Sequence, residues 1–215
     1  MKIKIVLFLT LLLIAGCVTV TKKEALKEYK KKRELSRSPE PSGKVTSKKT
    51  DKNIFVIQKH DSSRLHYDLR LEINGVLVSW AVPKGPSLNP KDKRLAIQTD
   101  DHPLDYATFE GVIPESNYGA GTVMVWDIGT YKNIKTKGGK LIPIEQCLKN
   151  GQIEVWLEGK KLTGGFALIK MQDRENQWLL IKMKDEYASA RNNPVNTKTK
   201  SALTGRTLYQ IKKAG

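Results

Sequence analysis

Short β-like runs follow one another through the middle of the chain: IFVIQKH, LHYDLRLEI, VLVSWAV, RLAIQT, GTVMVWDIG, QIEVWLEG, FALIKM and WLLIKM. Turn chemistry separates them at Asn74-Gly75, Pro83-Lys84-Gly85-Pro86, Gly138-Gly139 and Gly164-Gly165. Many short strands with few long helical patterns predict a mainly β fold, either an antiparallel sandwich or a barrel. The sharpest punctuation is Asn74-Gly75, because both central residues of a type I′ hairpin turn need positive φ. The body runs from residue 54 to about 187, with one short helix predicted over Ile144 to Lys149 and no fixed-period repeat.

The flanks are different material. Residues 1–17 have the layout of an export signal: Lys2 and Lys4, an apolar run from Ile5 to Ala15, then Ala15-Gly16 before Cys17. The run is short for a membrane span. Leu13-Ile14-Ala15-Gly16-Cys17 resembles the bacterial lipoprotein signal, in which the cysteine thiol is acylated, so a lipid anchor at Cys17 is expected. Residues 18–53 form a basic helix and linker, with eleven Lys and Arg against four Glu between Thr21 and Thr50. Helix formers fill Ala25 to Leu35, with Leu26, Tyr29 and Arg33 spaced for one face, and Pro39 and Pro41 are expected to stop the helix. Residues 188–215 read as a polar, mobile tail with a last helical turn over Arg206 to Ile211.

Composition narrows the function classes. A hydrophobic fraction of 39% with 28% charged residues supports a packed core and excludes a multi-span membrane protein or a wholly disordered chain. The net charge of +16 favours a polyanionic partner, nucleic acid or an anionic membrane, over a merely basic surface. Two cysteines, Cys17 and Cys147, cannot build a cysteine zinc site, so any metal must rely on His, Asp and Glu.

The three histidines, His60, His66 and His102, lie close together in the sequence. In His66-Tyr67-Asp68-Leu69-Arg70-Leu71-Glu72, strand parity sends His66, Asp68, Arg70 and Glu72 to one face and the apolar residues to the other. Gln58 and His60 share a face of the preceding run, and a turn at Asp61-Ser62-Ser63-Arg64 brings His60 beside His66 and Asp68. Two imidazoles and a carboxylate suit Mn²⁺, Fe²⁺ or Zn²⁺, and Arg70 beside them suits a phosphate. The plainer account is a half-exposed strand turning polar residues outward. His102, four residues before Tyr106, offers an acid/base or phosphate-binding group, or simply a capped turn. The glycine-rich Gly111–Gly121 stretch has neither Walker nor Rossmann spacing.

FVIQKHDSSRLHYDLRLEINGVLVSWAVPKGPS, KRLAIQTDDHPLDYATFEGVIPESNYGAGTVMVWDIGTY and WLLIKMKDEYA resemble the 3′-phosphoesterase domain of bacterial DNA ligase D, over about Leu26 to Tyr187. The resemblance implies a compact antiparallel β-barrel with few short helices. It also implies a hydrolase, Mn²⁺-favouring with Zn²⁺ or Co²⁺ as alternatives, acting on DNA or RNA–DNA primer-template 3′ ends. Such enzymes remove a 3′-terminal ribonucleoside as phosphodiesterases, then the 3′-phosphate as phosphomonoesterases, leaving 3′-OH. Carried over residue by residue, His60, His66 and Asp68 match metal ligands. Arg70 and His102 match phosphate-engaging positions, and Gln58 and Tyr106 match supporting ones. Lys84 and Arg94 match residues tied to the monoesterase step. Arg33, Glu34 and Glu40 match functional positions of the N-terminal segment, although Glu34 replaces the usual aspartate and Ser116-Asn117 the usual Gly-Glu. A monomer working with a separate DNA ligase or polymerase is expected. The rival classes are a non-catalytic nucleic-acid-binding module and an envelope nucleotide phosphoesterase. The N-terminus predicts a membrane-anchored lipoprotein in the cell envelope; DNA-end repair predicts a cytoplasmic, nucleoid-associated enzyme.

Overall fold

A computed structural model of the protein describes residues 22–43 and 53–215; the signal-like segment and Cys17 lie outside the described residues. Strand β1 (Ile54–Asp61) runs antiparallel to β2 (His66–Ile73), with His60 directly opposite His66. Asn74 (φ 54) and Gly75 (φ 78) adopt the positive-φ pair expected of them and join β2 to β3 (Val76–Val82). The chain continues through β4 (Arg94–His102), a 3₁₀ turn (Leu104–Thr108), β5 (Gly111–Ile113) and β6 (Gly121–Asn133). A small hairpin of β7 (Thr136–Lys137) and β8 (Lys140–Leu141) precedes a helix at Ile144–Lys149, as expected there. Strands β9 (Gln152–Gly159), β10 (Thr163–Lys170) and β11 (Gln177–Lys182) complete the sheet.

The strand order β1-β2-β3-β4-β11-β10-β9-β6 closes because β6 pairs back onto β1, giving an eight-stranded antiparallel barrel rather than a sandwich. Closure depends on the 13-residue length of β6, which follows β1 from Thr122 to Thr130 and β9 from Gly129 to Asn133. Where the two partners overlap, a Cβ on Gly129 would lie 2.1 Å from the Glu158 carbonyl oxygen, so only glycine permits this approach. Strand β5 pairs with the first half of β6 outside the ring.

Parity then produces two cores. Leu69, Leu71, Val78, Trp80, Met124, Trp126 and Trp178 point inward and fill the barrel. Val56, Leu77, Val123 and Val125 point outward, yet they too are buried, under Tyr29, Tyr106, Ala107 and Phe109. The wall formed by β1, β3 and β6 is therefore apolar on both faces, which explains the near-continuous apolar run VLVSWAV. This outer layer shelters the polar face of β2 from water.

The N-terminal helix departs from its expected form. It is two short pieces, α1 (Lys22–Ala25) and α2 (Lys27–Lys31), and it ends well before Pro39. Leu26 packs into the barrel core and Tyr29 into the outer one, while Arg33 turns back to donate to the Tyr29 carbonyl at 3.2 Å. Tertiary contacts, not the prolines, stop the helix. The C-terminal segment is likewise docked rather than free, because its few apolar residues find partners. Val195, Leu208 and Ile211 pack on the main core, and Trp126 Nε1 donates to the Lys198 carbonyl at 2.6 Å. The last helix, Leu208–Ala214, begins two residues later than expected, where Thr207 and Gln210 form a capping box. Among the described residues no helix is long and apolar enough to cross a membrane.

Candidate active site

The β1–β2 register alone assembles the first cluster. His60 Nδ1 lies 3.5 Å from Asp68 Oδ2, and His66 Nε2 lies 3.5 Å from Asp68 Oδ1. One ligand atom from each residue falls within 4.8 Å of the others. Nε2 of His60 is buried without a hydrogen-bond partner, an atom that a metal bond would satisfy. His66 Nδ1 sits 2.8 Å from the Arg64 carbonyl, to which it donates, leaving the Nε2 lone pair free toward Asp68. Two imidazoles and one carboxylate fit a divalent ion that accepts nitrogen and oxygen, with positions left for water or substrate.

Beside this cluster Arg70 is held on every side. It donates to Asp68 Oδ2 (3.1 Å), Gln58 Oε1 (2.8 Å) and Ser79 Oγ (2.8 Å). Gln58 has its orientation decided from behind, because its amide donates to the carbonyls of Tyr106 and Phe109, both at 3.0 Å. His102 stands between two guanidiniums, with Nδ1 2.8 Å from Arg70 Nη1 and Nε2 3.2 Å from Arg33 Nη2. Arg33 in turn donates to Glu40 Oε1 at 3.0 Å, and Glu40 also accepts from Tyr106 (3.1 Å) and Ser38 (2.7 Å). His60, His66, Asp68, Arg70, His102, Arg33 and Tyr106 all line one cavity of about 280 Å³.

A family model for the DNA ligase D 3′-phosphoesterase domain matches residues 58–170, which contain the whole metal cluster, Arg70 and His102. The chain belongs to the DNA ligase D 3′-phosphoesterase domain family. It is 45% identical over 188 residues to the multifunctional non-homologous end joining protein LigD of Pseudomonas aeruginosa, covering 85% of this chain and 22% of that protein. LigD of Mycolicibacterium smegmatis is 44% identical over 168 residues, covering 76% of this chain and 21% of the relative. The matching region thus spans about a fifth of the length of these LigD proteins.

Charge states follow from the enclosure. Burial works to raise the Asp68 carboxyl, but the Arg70 guanidinium and the two imidazoles outweigh it and hold Asp68 well below the usual carboxylate range. Burial, then Arg70 and Arg33, push His102 well below its ordinary value, so the ring is neutral and accepts from one guanidinium. Burial works to lower His66, but contact with Asp68 leaves it raised overall. Burial holds the Tyr106 phenol protonated.

Not every expected site residue joins this LigD-type cavity. Lys84 and Arg94 line a separate recess of about 500 Å³ with Lys91, Asp92 and Lys93, and Arg94 is paired to Asp92 at 2.9 Å. Glu34 is exposed and faces Arg37 at 3.6 Å, outside both recesses. The sequence reading missed Ser79, fully buried against Arg70. Its signal was the one polar residue in VLVSWAV, at the same parity as Leu77 and Ala81.

Proposed function

We propose that this chain is a metal-dependent 3′-end-healing phosphoesterase. It acts on DNA or RNA–DNA primer-template 3′ ends, removing a terminal ribonucleoside and then the 3′-phosphate to leave 3′-OH. One observation carries the reading: the His60–His66–Asp68 donor cluster opens into the same cavity as Arg70, His102 and Arg33. The relatives' names, which tie them to non-homologous end joining, support DNA ends as the substrate.

His60, His66 and Asp68 would hold the divalent ion, Mn²⁺ by preference over Zn²⁺ or Co²⁺, which supplies a Lewis acid and a more acidic bound water. The chain's own residues do the rest. Arg70 and Arg33 bind the phosphoryl oxygens and stabilise the extra negative charge of the transition state. Gln58, Ser79 and Glu40 fix the two forks, so little reorganisation accompanies the reaction. Neutral His102 keeps both guanidiniums apart without adding a third charge. Turnover of a 3′-ribonucleotide-tailed primer–template across a panel of metals tests the reading. Loss of the ribonucleoside and then the phosphate only with divalent metal supports it; activity indifferent to metal, or equal activity on free mononucleotides, overturns it.

The family resemblance ties Lys84 and Arg94, which line a recess separate from the metal cavity, to the monoester step, whose substrate carries one more negative charge than the diester. Lys84→Ala or Arg94→Ala is expected to slow the monoester step by about tenfold or more, the size of one lost charge-assisted hydrogen bond. Gel analysis should then show a 3′-phosphate product accumulating; equal loss of both steps would contradict this. A lipid anchor at Cys17, placing a monomeric enzyme at the cell envelope beside a separate ligase or polymerase, rests on Leu13–Cys17. Fractionation of cells expressing the native and Cys17→Ala chains tests it: a soluble, unprocessed protein in both cases favours a nucleoid location.

A further inference from the structure

One large aromatic on the cavity wall makes no hydrogen bond within the network described above. Tyr118 lines the cavity with the metal cluster, yet it is 52% exposed. It rides on the loop between β5 and β6, which is tied internally by Asn117 N–H to the Pro114 carbonyl (2.9 Å) and Ala120 N–H to the Asn117 carbonyl (3.1 Å). At the loop's end Gly121 has φ 134, and a Cβ there would come 2.2 Å from the Asp61 carbonyl oxygen. The loop is therefore pressed against the turn whose two ends carry His60 and His66. Tyr118 stands at the mouth of the metal cavity for the same reason.

The ring also has electrostatic company. The Arg33 guanidinium carbon is 5.3 Å and Lys32 Nζ 5.2 Å from its centroid, and Lys32 is anchored by Asp100 at 2.9 Å. Arg33 lines the same cavity, with its Nη2 3.2 Å from His102 Nε2. The Arg33 guanidinium thus adjoins the partly exposed Tyr118 ring on the wall of one cavity. A nucleotide offers a partner to each: a phosphate and a flat π-surface. Water gains nothing from a half-exposed ring, whereas a stacked base removes it from solvent whatever the base's identity.

We propose that Tyr118 is a nucleobase-stacking subsite that seats the base of the 3′-terminal nucleotide while its phosphate lies on Arg33 and Arg70. The proposal rests on the 3′-end reading above and adds what that reading lacks, a contact to the nucleoside itself. It predicts tolerance of all four bases, because stacking carries no hydrogen-bond code.

The test compares two primer–templates, one ending in an ordinary 3′-ribonucleotide and one in an abasic ribose, with wild type, Tyr118→Ala and Tyr118→Phe. Stacking of one base is worth enough to raise KM about tenfold on the base-bearing end in Tyr118→Ala. Tyr118→Phe, which keeps the ring, is expected to restore the KM, and kcat is expected to move less than KM. On the abasic end, wild type and Tyr118→Ala are expected to coincide. If Tyr118→Ala impairs both ends equally, the ring only braces Lys32 and Arg33, and the subsite is overturned; an unchanged KM on the base-bearing end overturns it as well. Absence of turnover by wild type on both ends would overturn the 3′-end reading and the subsite with it.

Discussion

Asp68→Ala is expected to lose both of the proposed 3′-end activities by at least about 100-fold, since even residues that merely orient metal ligands are worth 10- to 100-fold. Asp68 is the centre of the cluster. It lies 3.5 Å from each imidazole and accepts from Arg70 at 3.1 Å, so its removal deprives a metal of its only anionic ligand in the cluster and frees one end of the Arg70 fork. The fold should survive, because Arg70 keeps Gln58 and Ser79, and the β2 residues that pack in the barrel core, Leu69 and Leu71 among them, are of opposite parity to Asp68. The measurements are turnover in Mn²⁺, bound-metal stoichiometry and a thermal melt. Wild-type turnover, or an unchanged metal content, would refute the ligand assignment. His66→Ala is expected to behave alike.

The second large effect concerns stability, far from the reaction. Strand β11 points Trp178 and Leu180 into the barrel, and the same parity carries Lys182 inward, where its side chain is 0% exposed. The ammonium is met by Asp185 Oδ1 at 2.6 Å and by the carbonyls of Gly165 and Met183, both at 3.2 Å. Asp185→Ala strands a buried charge, and breaking such a pair costs about 3 kcal/mol. For a domain of this size that lowers Tm by about 10 °C. Lys182→Met should be much milder, because a methionine fills the same channel without a charge, while Asp185 keeps the Gly165 and Tyr187 N–H groups. Burial works against the Asp185 carboxylate, but Lys182 and these amides hold its pKa below the ordinary value. Its contribution is therefore complete above the usual carboxylate range and lost as pH falls through the depressed folded value. Melts at pH 7 and pH 3 should show the gap between wild type and Asp185→Ala narrowing in acid. A gap that stays constant would mean that the pair does not carry the effect.

What local sequence can determine here is what neighbouring residues determine among themselves. Asn74-Gly75 demanded a positive-φ hairpin turn, and one was found. Period-2 alternation in HYDLRLE placed His66, Asp68 and Arg70 on one face, and a short turn set His60 against them. The helix at Ile144–Lys149 was legible for the same reason. Family resemblance, not periodicity, named the barrel and drew Arg33 and Glu40 toward the site.

Tertiary structure decided everything that depends on distant partners. Alternation cannot say whether a sheet closes; that followed from β6 pairing with both β1 and β9. Nor can it say that the polar face of β2 is buried. Arg33 reaches His102 across 69 residues and Tyr106 reaches Glu40 across 66, and these contacts roof the face, neutralise His102 and end the N-terminal helix early. Lys182 appeared as an ordinary strand lysine until the barrel interior enclosed it. Turn type and face assignment arise from covalent geometry over a few residues, whereas closure, burial and the resulting charge states arise from contacts between segments that only the folded chain brings together.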